Sequence, residues 1–312
     1  MKIDVIIPNY NGADLITRNL PSVFEALTPY DGKIIIVDDG STTHERQKLK
    51  DVISKFEKRK NEIILIQKVK NSGFSSTVNA GVGASRADFV VLLNSDVSPS
   101  INFLKSPLEK LRDDKNIFGV GCMDESVEGN MKIRRGRGLA RWSKGFLMHS
   151  RGEVDRNDTF WISGGSSVIR RELFNKLGGM DTIYSPFYWE DIDLSFLAQK
   201  AGYAVVFDPE SVVVHRHEDG AIKKHYNEDK IRTVSYRNQI IFVWKNITSK
   251  KLLIDHLFRL PIHLVGAVLR FDMPFIKGLF LAMSLLPAII KKRRIQKILY
   301  QLSDESVIKN IS

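Results

Sequence analysis

The stretch Phe89-Val90-Val91-Leu92-Leu93-Asn94-Ser95-Asp96 constrains the fold more than any other. Its unbroken apolar run, rich in Val and Leu, has no polar face, so it predicts a strand buried on both sides. Strands of this kind belong to parallel sheets covered by helices. Three small polar residues follow at once, the last a carboxylate. Open α/β sheets bind ligands outside the carboxyl ends of their strands, which aims Asp96 at a crevice. Alone, the tripeptide reads equally as the start of a loop, since Asn, Ser and Asp favour turns.

The neighbouring segments decide between these readings. Residues 3–7 read as a first strand, with Pro8-Asn9-Tyr10-Asn11-Gly12 as its turn. Helical spacing covers 13–27, and a second strand over 33–37 ends in Asp38-Asp39-Gly40-Ser41. A polar helix over 44–59 and a third strand over 63–67 precede Asn71-Ser72-Gly73-Phe74 and a small-residue helix to about 84. Strands alternating with helices predict an α/β fold, a Rossmann-like, largely parallel central sheet with helices on both faces. The polar tips 8–12, 38–41 and 94–96 then share one edge of the sheet.

The second half reads differently. Between residues 129 and 152 there are seven basic residues and no acidic one, which predicts a long basic loop over about 123–160. Order is expected to return at Phe160-Trp161-Ile162-Ser163-Gly164-Gly165, with a helix over 171–177 stopped by Gly178-Gly179. Trp189-Glu190-Asp191-Ile192-Asp193 opens another helix, and strand residues lead to His215-Arg216-His217. The chain divides on this reading into a domain over 1–245, with halves of about 1–122 and 160–245 around the basic loop, and a segment over 246–312.

Composition separates function classes. The lone Cys122 excludes an internal disulfide framework and fits a reducing, cytoplasmic setting. The apolar start is ended by Pro8 and is not expected to be a signal peptide. The net charge of +11 is uneven: residues 250–300 hold ten Lys or Arg against Asp255 and Asp272. Residues 252–269 and 273–290 are apolar, yet the longest uncharged run, 278–290, has 13 residues, whereas a membrane span needs ~20. Lys291-Lys292-Arg293-Arg294 follows. The pattern predicts amphipathic helices lying on an anionic membrane, on the inner face of the cell membrane. The alternative is a helical subdomain packed on the core.

The basic residues lack interleaved aromatic stacking surfaces, which argues against a nucleic-acid partner. No G-x-G-x-x-G follows the first strand, which argues against a dinucleotide enzyme. A nucleotidyltransferase making sugar nucleotides needs a Gly-rich, basic phosphate loop there, and Pro8-Asn9-Tyr10-Asn11-Gly12 disfavours it.

Carboxylates fall at several predicted element ends: Asp38, Asp39, Asp96, Glu190, Asp191 and Asp193. Asp193 sits where a carboxylate favours a helix dipole. Asp96 can supply a hard oxygen ligand to Mg²⁺ or Mn²⁺ against a substrate diphosphate.

Together the motifs Val5-Ile6-Ile7-Pro8-Asn9-Tyr10-Asn11, Ile36-Val37-Asp38-Asp39-Gly40-Ser41, Asn71-Ser72-Gly73 with Asn79, Leu93-Asn94-Ser95-Asp96 and Glu190-Asp191-Ile192-Asp193 resemble the family 2 inverting glycosyltransferases with the GT-A fold. Within that family the chain is most similar to bacterial rhamnosyltransferase-like enzymes of surface polysaccharide synthesis. The likeness spans about 3–220. It implies a nucleoside-diphosphate sugar as donor and a hydroxyl on a glycan or polyprenyl-linked glycan as acceptor. Asp39, following Asp38, would bind the nucleobase; Pro8 and Asn9 would line its cleft, and Asn71, Gly73 and Asn79 its far wall. Asp96, beside Asn94 and Ser95, would hold the metal, with His215 as a further ligand and His217 a weaker candidate. Asp191 would be the base and Glu190 its orienting or acceptor-binding neighbour. Gly164 and Gly165 would let backbone approach the donor sugar. One departure is Asn94, where many relatives carry a second acid, so metal is expected to bind mainly together with the nucleotide. The basic loop would be a lid whose Arg134, Arg135 and Arg137 grip a diphosphate.

Overall fold

The computed structural model describes residues 1–56, 59–128, 131–215 and 226–309. Its N-terminal half alternates strand and helix: β1 (Ile3–Asn9), α1 (Ala13–Leu27), β2 (Ile34–Asp38), α2 (Thr43–Ser54), β3 (Ile63–Gln67), α3 (Phe74–Ala84) and β4 (Phe89–Leu93). The strands lie side by side as β3-β2-β1-β4, all parallel. Every residue of β4 is buried. Phe89, Val91 and Leu93 pack with Ile16, Leu20 and Phe24 of α1, while Val90 and Leu92 pack with Val78 and Val82 of α3. Each such burial contributes about 2 kcal/mol. The unbroken apolar sequence of β4 is the direct requirement of that two-sided packing.

Beyond β4 the pairing is mixed. The chain continues through β5 (Val97–Pro99), α4 (Lys105–Asp113), β6 (Ile117–Glu128), β7 (Met131–Arg135), β8 (Gly138–Ser143), β9 (Phe146–Arg151) and β10 (Ser166–Arg170). It then runs through α5 (Arg171–Lys176), α6 (Glu190–Lys200) and β11 (Ala204–His215). β10 enters the sheet between β4 and β6, antiparallel to both. β11 pairs parallel with β6 and antiparallel with β5, giving the order β3-β2-β1-β4-β10-β6-β11-β5. The expected parallel sheet therefore holds for the N-terminal half and becomes mixed after it.

The long basic loop expected over 123–160 is corrected. β7 folds back on β6, and β8 with β9 forms a separate hairpin around Lys144 and Gly145, both at positive φ. A two-residue turn with this twist suits a hairpin. Ala140, Phe146 and Leu147 anchor the hairpin in a core with Trp189, Phe196 and Phe242. The interspersed Arg and Gly residues hide the period-two pattern that would announce these strands.

The described residues from 228 on are helical: α7 (Glu228–Asn246), α8 (Lys250–Leu269), α9 (Met273–Ser284), α10 (Leu286–Lys297) and α11 (Asp304–Lys309). Lys245 of α7 is fully buried, 2.8 Å from Asp181 and 2.7 Å from Asp193 of α6. Lys200 of α6 pairs with buried Asp304 of α11 at 2.6 Å. These helices are thus packed onto the core along their inner faces. The outer face of α8 presents Ile254, Phe258, Ile262, Val265 and Leu269 at spacings of three or four, with Leu257 beside Phe258, all exposed. Among the described residues α8 is long and apolar enough to cross a membrane by length and composition, and α9 with α10, bent by 65°, passes as a pair. Of the cationic run, Lys292 pairs with Asp181 at 2.8 Å and Arg293 donates to the Trp244 carbonyl, while Lys291 and Arg294 are exposed.

Candidate active site

The strand tips 8–12 and 94–96 and Asp39 converge on a cavity of about 670 Å³. Because β10 runs antiparallel to β4, its start, not its end, lies at this edge, with Ser166 opposite Leu93. That reversal brings the preceding segment, Ser163-Gly164-Gly165, to the same mouth. Asp191, at the start of α6, closes the ring. Pro8, Asn9, Asp39, Asn71, Gly73, Asn94, Ser95, Asp96, Gly164, Gly165, Glu190, Asp191 and His215 all line the cavity.

Asp38 and Asn79 do not line it. Asp38 is fully buried and accepts from Asn9 Nδ2, the Ser41 hydroxyl and Arg46 Nε, so it braces the β2 tip. Asn79 exchanges hydrogen bonds with the backbone of Met180 at 2.7 and 2.9 Å, pinning the turn after α5. His217 lies outside the described residues.

Asp39 faces the cavity yet is firmly held. Its carboxylate accepts from the backbone N–H of Ser72 at 3.0 Å and of Gly73 at 2.9 Å, and pairs with Lys68 at 2.7 Å. Gly73 sits at φ 88°, a region open to glycine at little cost, with Pro186 against it. On the opposite side, Gly165 leaves room for Asn94: a Cβ there would lie 2.5 Å from Asn94 Nδ2. The backbone of Asn94 in turn donates to the Gly165 carbonyl at 2.9 Å.

Asp96 Oδ2 lies 3.2 Å from His215 Nε2, and His215 Nδ1 lies 2.9 Å from Asp124 Oδ2. Burial disfavours charge on this imidazole, but hydrogen bonds to Asp124 and Asp96 outweigh it and push its pKa up to about 9. Among the described residues no three His, Cys, Asp or Glu side chains form a complete metal set. Asp96 and His215 supply two ligand atoms side by side, and Asn94 Oδ1 is buried without a partner. Two protein ligands fit a divalent ion completed by phosphate oxygens, the arrangement Mg²⁺ commonly adopts.

Asp191 accepts hydrogen bonds from the backbone N–H of Gly164 at 3.2 Å and of Ile192 at 2.8 Å. Burial raises its pKa and these N–H groups pull it back. Glu190 is raised further, to about 8, by burial and then by the charge of Asp191. Its Oε2 has no hydrogen-bond partner. Glu190 therefore favours its protonated form near neutral pH. The segment before them is bent sharply, with Tyr188 at φ 69° and Trp189 at φ 78°. Non-glycine residues hold such angles only when their surroundings enforce them. Here Asn238 Nδ2 of α7 lies within 3.0 Å of the carbonyls of Tyr184, Phe187 and Tyr188.

Sequence reasoning missed the aromatic wall of Phe187, Tyr188 and Tyr226, and also Asp124. The run Pro186-Phe187-Tyr188-Trp189 directly before Glu190-Asp191 was the available signal. Of the three basic-loop arginines, Arg137 is buried and holds Asp158 at 2.7 Å, and Arg134 lies 3.4 Å from Glu125. Arg135 lines a second cavity described below.

A mixed sheet with its cleft at the strand tips, flanked by an acidic pair at a helix start, defines the GT-A class of nucleotide-sugar folds. The chain belongs to glycosyl transferase family 2, whose model matches residues 4–178. The pre-mycofactocin glycosyltransferase of Mycobacterium tuberculosis is 25% identical over 216 residues, 69% of this chain and 43% of that protein. This chain spans less than half the length of the first curated relatives it matches. Among solved structures, S. aureus TarS 1–349 in complex with UDP-GlcNAc superposes with a TM-score of 0.59 at 16% identity, over 99% of this chain and 91% of that one. GalNAc-T7 with UDP, GalNAc and Mn²⁺ gives 0.62 at 17% identity, over 78% and 48%. These two likenesses establish the fold.

Proposed function

We propose that the chain is an inverting glycosyltransferase that moves a sugar from a nucleoside-diphosphate donor to a hydroxyl of a glycan or lipid-linked glycan in cell-surface polysaccharide synthesis. The observation that carries this reading is Asp191, oriented by the Gly164 N–H, in one cavity with Asp39 and Asp96. Asp39 binds the base of the nucleotide, its position fixed by Ser72, Gly73 and Lys68. Pro8, Asn9, Asn71 and Gly73 line that end of the cleft, and Ser95, Gly164 and Gly165 border the sugar.

Asp191 accepts the proton of the acceptor hydroxyl as that oxygen attacks the anomeric carbon. The diphosphate leaves from the opposite face with the bonding electron pair, so the configuration inverts. A raised pKa makes Asp191 a stronger base than an exposed carboxylate, while the two backbone N–H groups favour its ionised form. Neutral Glu190 adds no second negative charge beside it. Asp96 and His215 are the residues that would hold Mg²⁺ or Mn²⁺, and such an ion supplies positive charge to the departing diphosphate. The Mn²⁺ in the GalNAc-T7 structure supports that reading.

The exposed apolar stripe of α8 and the exposed Lys291 and Arg294 of α10 support peripheral attachment to the cytoplasmic face of an anionic membrane. Only part of the cationic run is available for this, since Lys292 and Arg293 are turned inward.

A panel of nucleotide sugars, assayed for binding and slow hydrolysis with Mn²⁺ or Mg²⁺, tests the reading. Wild type should bind at least one nucleoside diphosphate, and Asp96→Ala should weaken that binding only when metal is present. A wild-type protein that binds no nucleotide in the panel sinks the proposal.

A further inference from the structure

A second cavity, of about 510 Å³, adjoins the first on the Asp191 side. Ser163 lines both. Its walls are Arg135, Arg137 and Arg151 together with His149 and the indole of Trp161. The three guanidiniums come from different places in the corrected basic region: Arg135 ends β7, Arg137 follows it, and Arg151 ends β9. Pairing β8 with β9 sets Gly138 opposite Arg151, which folds these cations around one space.

Three arginines line this space against one carboxylate, Asp124, which is engaged by His215, and Arg137 is matched by Asp158. Arg151 is exposed and has no carboxylate partner among the described residues. The floor is apolar and flat. Trp161 lies so close to Gly138 that a Cβ there would come within 2.2 Å of its ring, and His149 meets the same indole edge-on at 5.5 Å. His149 also reaches toward the base: its ring lies 5.1 Å from that of Trp189, next in chain to Glu190, and its field acts on Asp191.

We propose that this cavity is an acceptor subsite for a phosphate- or diphosphate-bearing sugar. The sugar ring lies on Trp161, its nucleophilic hydroxyl reaches Asp191 past Ser163, and the phosphate oxygens are held by Arg151 and Arg135. Planar guanidiniums converging from two strands match a multi-oxygen anion better than a single carboxylate. The volume falls in the range of small-molecule sites. The inference rests on the transferase reading above, because it takes Asp191 as the base. Two sources offer this chemistry, a polyprenyl diphosphate sugar and a polyol-phosphate polymer.

The test keeps donor and acceptor sites separate. The full-length protein is saturated with a nucleoside diphosphate that it binds. It is then titrated with geranyl diphosphate, glycerol 3-phosphate or neutral octyl glucoside, following Trp fluorescence and, independently, calorimetry. At least one phosphate probe should bind more tightly than the neutral glycoside, and its affinity should fall with rising salt. Arg151→Ala should weaken that probe by about tenfold or more, the loss expected for a charge-assisted contact, while nucleotide affinity stays unchanged. Arg151→Lys should recover part of the binding. Preference for geranyl diphosphate assigns the lipid source, and equal binding of glycerol 3-phosphate assigns the polyol-phosphate source. If nucleotide binds but no phosphate probe does, or if Arg151→Ala leaves the phosphate affinity unchanged, the subsite is rejected and the transferase reading stands. If no nucleotide binds to the wild type, the transferase reading fails first and takes the subsite with it.

Discussion

Asn19 Nδ2 in the first helix donates a 2.8 Å hydrogen bond to the carbonyl of Ser95, joining α1 to the tip of β4. Asn19 is buried, so the contact excludes water and fixes the residue next to Asp96. Asn19→Ala leaves that carbonyl without its partner and should cost about 1–3 kcal/mol. For a chain of this size the thermal midpoint should drop by roughly 2–4 °C for each kcal/mol. Differential scanning calorimetry measures the drop. The same variant should also need more metal to saturate donor binding, because the Asp96 tip loses its brace.

Asp191→Asn keeps the shape of the site and removes the base. Sugar transfer should fall by about 10²–10⁴, the usual contribution of a positioned proton acceptor. Nucleotide affinity should not move, since the proposed reading gives that ligand to Asp39 and Asp96. Full transfer by the variant contradicts the assignment.

Glu190 gives a pH signature in stability. Its pKa in the folded protein, about 8, is above that of an exposed glutamate, so the folded state binds the extra proton. The stabilisation is complete below about pH 4.5 and is lost progressively as pH rises to about 8. Glu190→Gln removes this dependence. The wild-type denaturation midpoint should decline across that window, and the variant should show a flatter profile. A steeper profile in the variant would contradict the protonated assignment.

Lys245 neutralises two buried carboxylates at once, Asp181 and Asp193. Lys245→Met leaves Asp193 with neutral donors alone and Asp181 with Lys292 as its one remaining cation among the described residues, and should destabilise the protein by about 3–5 kcal/mol, the cost of breaking a buried pair on one side. Denaturant titration should show the midpoint moving down. Asp193 shares α6 with Asp191, so activity near the new midpoint should fall before the far-ultraviolet signal does.

Membrane attachment is best tested by surface substitution. Removing residues 251–312 would take away Asp304, Val307 and Ile308, which are buried against the core. Phe258→Glu with Ile262→Glu changes exposed positions of α8 and leaves the packed face intact. The pair should abolish sedimentation with vesicles of anionic lipid while nucleotide binding persists. Unchanged sedimentation would reject the interfacial role of α8.

The N-terminal strand order and its polar tips were legible because burial on both faces writes itself as an unbroken run of Val, Ile and Leu. The placement of Asp96 and Asp39 at the cleft was readable for the same reason, each lying in the short polar tip that follows such a run. Residue type alone does not tell Asp38 from Asp39, and the family motif was needed to single out Asp39; in the structure Asp38 turns inward to Arg46 and Asp39 faces the cleft. The β7–β9 strands were hidden by their arginines, whose partners Asp158 and Glu125 become neighbours only after folding. Asn19, Asp124 and Lys245 act across 76, 91 and 52 residues, and local pattern carries no trace of such contacts.

Lys292 belongs both to the cationic run of α10 and, through Asp181 and Lys245, to the ion network that grips the helix of Asp191. Buried ion pairs therefore tie the C-terminal helices to the helix that carries that carboxylate. If those helices rest on a surface, the tie sets the height of Asp191 above that plane, and an acceptor hydroxyl anchored in the same surface has to stand at that height to meet it.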